Sequence, residues 1–306
     1  MILSALSAAE LGCRLRERGI FLRTGPFVSH LRTRIPRVIE GIHLLYGEYP
    51  LADGDDFADF HIALIQPNSI RRWIRRQVLF QFDGESPFKP LPIDQALPLL
   101  EWGQNWSIGN HAHQYLIIHA AAIERGGRAV ILPGPPGSGK STLCAYLVHN
   151  GWRLLSDELA LLSLDKARLT ALARPISLKN ESIEIIKRSV PNATLSRASH
   201  DTIKGTVALL KAPPDSTARV QEFASPAWVI FPKYASGAKA RLEDRSKADT
   251  FIEVGKNSFN YSIHGKNGFD CLARLIDACD CYDFTYSDLN EALSLFAALE
   301  PPGLIS

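Results

Sequence analysis

The residues Gly134-Pro135-Pro136-Gly137-Ser138-Gly139-Lys140-Ser141 satisfy every fixed position of G-x-x-x-x-G-K-[ST], a spacing that wraps backbone amides around phosphate oxygens. Pro135 and Pro136 have no N–H to offer, so the expected donors are Gly137, Ser138, Gly139, Lys140, Ser141 and Thr142. The start of the following helix adds partial positive charge. Lys140 is expected to reach the β- and γ-phosphates of a nucleoside triphosphate. The Ser141 hydroxyl is expected to ligate Mg²⁺. The competing reading is a chance glycine-rich turn, and an apolar strand before the loop with a helix after it speaks against that.

Two acids come next. Asp157 and Glu158 lie 16 and 17 residues beyond Ser141, inside the apolar run 152-WRLLSDELALLSLD. Charges within such a run are rarely idle. Adjacent residues on a regular strand point to opposite faces. One acid is then expected to hold a metal while the other faces an acceptor, unless a local bend brings both to one place. A dication between them would offset their mutual repulsion. His119 stands in 116-LIIHAAAI, 15 residues before Gly134. Taken alone, it reads as a hydrogen-bonded core histidine.

These residues need elements to hold them. The runs 114-QYLIIHAAAIE and 128-RAVILPG are expected strands, joined at Gly126-Gly127 as a hairpin. A helix is expected from Lys140 to about Asn150, ended by Gly151. Further strands are expected at TVALLKAP, PAWVIFPKY and ARLED, and helices over 246–254, 267–277 and 287–299, the last capped by Ser287 or Asp288. Before these, a short helix is expected within 5–18, and paired strands around Gly25-Pro26. Pro36 opens a helix through Tyr46, and strands follow in DFADFHIALIQP and RQVLFQFDG. The proline-rich PFKPLPIDQALP (87–98) reads as a linker. The expected organisation is an N-terminal accessory α+β domain, 1–95, and an α/β phosphate-loop domain, 96–306.

Composition excludes several classes. The chain has 306 residues, 46% hydrophobic and 22% charged, with a net charge of +2. That charge gives no reason to expect nucleic acid as a partner. Cys13, Cys144, Cys271, Cys279 and Cys281 lack metal-ligand spacing and read as reduced cytosolic thiols. The N-terminus does not read as a signal peptide, and no uncharged apolar run is long enough to cross a bilayer. The expectation is a cytoplasmic protein without membrane contact.

From His119 to Glu158 the chain resembles the catalytic domain of the HPr kinase/phosphorylase family, whose members phosphorylate a serine. The matching features are His119 on the strand before the loop, 134-GPPGSGKS-141, 151-GWRL-154 and the acid pair 157-DE-158. More of the chain is similar to the HPr-kinase-related kinase A branch, in FLRTGPF, YPLADGDDFADFH, RPISLK, FPKY, KNSFNY and TYSDLNEAL. The resemblance implies a P-loop kinase domain of the HPr kinase/phosphoenolpyruvate carboxykinase type beside the smaller N-terminal α+β domain. It implies that Glu158 takes the acceptor proton, that Asp157 stands on the metal side with Ser141, and that His119 assists beside Lys140. ATP and Mg²⁺ are the implied cofactors. That branch tends to accompany a small PqqD-like protein of a peptide-binding class, which becomes the expected partner. A homo-oligomer is a further expectation, because the resembled family forms ring-like hexamers.

This chain departs from the pattern at two places. The family carries Asp at both acid positions, whereas Glu158 is one methylene longer. The family's signature segment, with its metal-binding Glu, has no clear equivalent among Glu181 and Glu184, and phosphorylase activity is not expected. Lys179, Lys204, Lys211, Lys233 and Arg241 could each neutralise phosphate, with Lys179 and Lys233 ranked first; solvated surface charge is the plainer reading of each. RRWIRRQ (71–77) reads as a solvated face or partner patch rather than a nucleic-acid site. NSFNYS (257–262) could contact adenine, an acceptor or the core. The leading expectation is an ATP-dependent kinase acting on a serine-type hydroxyl of a small protein, peptide or small molecule. The alternative is an ATP-binding module that regulates a peptide-binding partner without phosphorylating it.

Overall fold

A computed structural model of the chain describes residues 1–52, 57–68 and 75–300. The fold is mixed α/β, with several sheets. Part of RRWIRRQ, residues 71–74, lies outside the described residues, as do 53–56 within YPLADGDDFADFH. The chain divides into two units. One comprises Met1–Ile108, Arg174–Glu184 and Asn192–Ala218; the other comprises Gly109–Ala173, Ile185–Pro191 and the chain from Arg219 onward. The boundary expected near residue 95 falls inside the first unit, and two later stretches return to it.

In the first unit the hairpin Ile20–Thr24/Phe27–Thr33 continues into strands Phe60–Ile65, Gln77–Phe82 and Leu91–Pro92. Ser7 and Glu10 form a reciprocal capping box on helix Ala8–Arg16. Helix Pro36–Leu45 opens on its proline as expected. PFKPLPIDQALP is not a linker: Leu91–Pro92 pairs with Gln77–Val78, and a helix runs Ala96–His111. Pro98 is tolerated there because it sits in the first turn, where its N–H would have no partner. Strands Ile176–Lys179, Ser199–Thr202 and Gly205–Leu210 add a small antiparallel sheet. Arg174 reaches the buried Glu101 at 3.8 Å, and Glu101 also accepts the Tyr46 hydroxyl. Burial, then the Glu101 charge, holds that phenol well above its ordinary range.

The second unit is built on the glycine hairpin. Strands β1 (Tyr115–Arg125) and β2 (Arg128–Pro133) pair antiparallel, with Gly126 and Gly127 at φ +59° and +78°, as a two-residue turn of primed type requires. Helix α1 (Lys140–Val148), β3 (Arg153–Ser156), β4 (Leu159–Ser163) and β5 (Leu169–Thr170) follow. Then come β6 (Ser225–Tyr234), β7 (Arg241–Asp244), α2 (Lys247–Lys256), α3 (Tyr261–His264), α4 (Lys266–Asp277), β8 (Asp280–Tyr286) and α5 (Leu289–Ala297). Asp288, not Ser287, caps α5. Among the described residues the sheet has eight strands, ordered β5-β4-β1-β2-β6-β8-β7, with β3 also on β1. β2, β6 and β8 run parallel, so their C-terminal ends share one rim.

The two faces of this sheet differ. Leu116, Ile118, Ala120 and Ala122 of β1 join one core with Ile131, Ala160, Leu162, Leu272 and Leu275. By alternation, His119 and Ala121 turn to the other face. α1 packs on β1 and β3 there, since none of its buried residues belongs to that core.

One ion pair locks the hairpin to β3. The Arg153 and Glu124 side chains are 1% and 0% exposed and hydrogen-bonded to each other. Arg153 also donates to the Arg219 and Glu222 carbonyls at 2.6 and 3.2 Å, and Glu124 accepts the Gly127 N–H at 2.5 Å. Arg153→Ala strands a buried carboxylate, which typically costs about 3–5 kcal/mol. Arg219, 3.5 Å from the same carboxylate, should hold the loss to the lower end. Urea unfolding measures it; a loss under about 1 kcal/mol, the range of exposed pairs, would show that the pair does not lock this region.

Candidate functional site

The phosphate loop leaves the sheet where β2 ends. Its conformation follows from its glycines: Gly137 and Gly139 have φ +87° and +88°, which side-chain-bearing residues rarely adopt. Gly139 is required for a second reason. A Cβ there would stand 2.4 Å from the Tyr286 hydroxyl oxygen. That hydroxyl donates to the Gly139 carbonyl at 3.0 Å, and the Tyr234 N–H donates to the Ser138 carbonyl at 3.0 Å. The ends of β6 and β8 therefore tether the loop from one side. Burial raises the Tyr286 hydroxyl well above its ordinary range, so it stays a donor.

Inside the loop, the Ser138 N–H is taken by the Pro135 carbonyl at 3.2 Å. Lys140, Ser141 and Thr142 form the first turn of α1, where backbone N–H groups have no intrahelical acceptor. The Lys140 ammonium is buried and donates to the Gly134 carbonyl at 3.2 Å. The Ser138 hydroxyl oxygen is buried without a partner among the described residues. A positive helix terminus, an ammonium and a buried unpaired hydroxyl form a donor set that fits a polyphosphate.

The acids sit across β1 from this loop. Within β3 the pairing with β1 shifts by one residue, from Ile123 opposite Leu154 to Ala122 opposite Ser156, and β4 keeps that second register, with Leu159 opposite His119. Asp157 and Glu158 thus fall opposite Ala121 and Ala120, where the chain bends out of regular pairing. The Ser156 hydroxyl oxygen accepts the N–H groups of Glu158 and Leu159, at 3.3 and 2.9 Å, and fixes the bend. On an unbroken strand Glu158 would share the face of Ala120, away from His119. The bend instead brings its carboxylate 3.8 Å from His119 Nε2, both side chains partly exposed at 22% and 30%. The Asp157 charge is felt on α1: burial first, then that charge, pushes the Cys144 thiol well up, and Lys140 opposes this. Lys140 and Asp157 thus act on the Cys144 thiol with opposite sign. Two interstrand spacings separate the acid pair from the start of the loop, about 10 Å in all.

A third segment closes the site. Beyond the end of β2, the free edge of β1 is taken by Asn257–Phe259. The His119 N–H donates to the Asn257 carbonyl at 2.7 Å, and the Phe259 N–H to the Ile117 carbonyl at 2.9 Å. The buried Asn260 side chain accepts from Ile117 N–H at 2.9 Å and donates to the Tyr115 carbonyl at 2.8 Å. Phe259 is thereby presented with its ring 5.5 Å from that of His119, tilted by 48° and 53% exposed. Of the uses open to NSFNYS, the structure gives Asn260 to packing and puts Phe259 beside the acid pair.

The remaining candidates separate. Lys233 is exposed near the end of β6, opposite Thr285. Arg241, on edge strand β7, pairs with Glu243 at 3.2 Å. Lys179, Lys204, Lys211, Glu181 and Glu184 belong to the first unit. There Lys211 pairs with Glu48 at 3.6 Å, and Lys204 lies over the Trp102 ring. Among the described residues no group of three or more His, Cys, Asp or Glu side chains could hold a metal. Ser141 and Asp157 could supply two oxygens to a hard cation that takes its other ligands from phosphate and water. All five cysteines are free thiols. Among the described residues no helix is long and apolar enough to cross a membrane.

Tyr286, Tyr234 and Ser156 were not singled out from the sequence as site residues, whereas Phe259 lay in NSFNYS, a segment weighed for adenine or acceptor contact. Of the three, Ser156 carried a local signal, a hydroxyl residue directly before two acids. No protein-family model matches the chain, and no curated protein matches it.

Proposed function

We propose that the second unit is an ATP- and Mg²⁺-dependent kinase domain of the HPr kinase type, and that it transfers the γ-phosphoryl group to a serine-type hydroxyl. The supporting observation is the bend at Asp157-Glu158, which brings the Glu158 carboxylate 3.8 Å from His119 rather than leaving it on the opposite face of β1. A bound Mg²⁺ would supply charge neutralisation to the transferring group. The loop amides and Lys140 hold the polyphosphate, and Ser141 and Asp157 stand on the metal side. Glu158 accepts the proton of the acceptor hydroxyl as that oxygen bonds to the γ-phosphorus. The bond from phosphorus to the β,γ-bridging oxygen breaks, and ADP leaves with the bond's electron pair. His119 orients the Glu158 carboxylate from 3.8 Å. Phe259 gives the acceptor side an apolar, half-exposed surface, which suits a peptide or a small protein such as a PqqD-like partner.

The test is incubation with γ-labelled ATP, Mg²⁺ and the small peptide-binding partner, read by mass spectrometry. Label on a hydroxyl of the partner, or of another acceptor in the mixture, is the expected result. Nucleotide-dependent co-elution of an unlabelled partner would replace the kinase with a regulatory ATP-binding module. Release of inorganic phosphate alone would make it an ATPase.

A further inference from the structure

Two half-exposed aromatic side chains flank the phosphate loop, on opposite sides. Phe259 stands beside His119, on the side of the acids. Tyr234 ends β6, on the side of β8. The phosphoryl group that reacts must face Glu158. The rest of a nucleotide then runs along the loop away from β1, toward the rim made by β6 and β8. Tyr234 is 50% exposed on that rim, and it is firmly held. Its N–H donates to the Ser138 carbonyl at 3.0 Å, and the next residue, Ala235, donates to the Tyr286 carbonyl at 2.9 Å. The Tyr234 Cβ lies 3.1 Å from where a Gly139 Cβ would be, so its side chain starts in contact with the loop. Its ring stands edge-on to Tyr286, with centroids 5.9 Å apart and planes at 77°. The segment beyond is also braced: the Ser287 hydroxyl donates to the Ala238 carbonyl at 2.7 Å, and Glu291 accepts the Ala240 N–H at 2.9 Å.

We propose that Tyr234 is the base-binding platform of the nucleotide site, and that a purine stacks on its exposed face. This rests on the phosphate-loop reading above. The braced backbone holds the ring in place before the ligand arrives, which lowers the ordering cost of binding. Stacking of this kind accepts any base face, so it selects for a nucleoside triphosphate over bare polyphosphate rather than for one base.

The test compares Mg²⁺·ATP with Mg²⁺·tripolyphosphate by calorimetry, on wild type, Tyr234→Ala and Tyr234→Phe. The expected result is ATP affinity ~5- to 150-fold weaker for Tyr234→Ala, the range of one base–aromatic stack. Tripolyphosphate affinity should be unchanged, and Tyr234→Phe should bind ATP as wild type does. Equal losses for both ligands would mean that the substitution acts through the loop tether and would overturn the platform. So would undiminished ATP affinity in Tyr234→Ala. A wild type that binds neither ligand would remove the phosphate-loop reading, and the platform with it.

Discussion

Glu158→Gln is expected to lower phosphoryl transfer by about 10²–10⁴-fold, the usual contribution of a positioned general base, while ATP binding stays at the wild-type level. The amide keeps the shape of the side chain and its hydrogen-bonding capacity toward His119. What it loses is the ability to take a proton at the moment the acceptor oxygen attacks. Binding should be spared because the proposed phosphate ligands, Lys140 and the first turn of α1, do not include Glu158. Single-turnover rates and nucleotide titration on the same preparation separate the two quantities. Transfer at the wild-type rate would show that Glu158 is not the base. Glu158→Asp probes the length of the side chain. The Ser156 hydroxyl fixes the backbone of the bend at 3.3 and 2.9 Å, so a shorter acid would not follow its target. A partial loss is expected, smaller than that of the amide.

The hairpin, the loop and the acid pair were legible because each announces itself locally. Gly126-Gly127 between two apolar runs allows little but a tight turn, and the loop is written in its own spacing. The bend at Asp157-Glu158 was open in the sequence as a possibility, since alternation alone would have separated the acids. What decided it is Ser156, whose hydroxyl takes two successive backbone N–H groups that a regular strand would have sent to opposite edges. β8 was missed because Asp280, Asp283 and Thr285 interrupt its apolar residues. Yet β8 delivers Tyr286 to Gly139. Helix Ala96–His111 was missed for the opposite reason. It buries residues around most of its circumference, including Glu101 and Gln104, so it shows no apolar stripe at helical period. The return of 174–184 and 192–218 to the first unit is set by non-local partners. One is Arg174 with the buried Glu101, 73 positions earlier in the chain. No window along the sequence contains both.

Lys140→Ala should cost more than any other single change in the loop, because two losses fall together. The ammonium is the buried cation of the site, and charge stabilisation in a water-poor site is worth at least roughly 10²–10³-fold in rate for one removed donor. The same ammonium holds the Gly134 carbonyl at 3.2 Å. Without it, incoming phosphate loses the loop's buried cation, so ATP affinity should fall as well as rate. That pattern differs from Glu158→Gln, which spares affinity. Lys140→Met separates charge from bulk, since it keeps most of the aliphatic stem against the loop. If the ammonium is what matters, Met and Ala variants lose transfer alike and keep the wild-type melting temperature. If Met restores transfer, Lys140 acts by packing the loop, and its assignment to the phosphates falls.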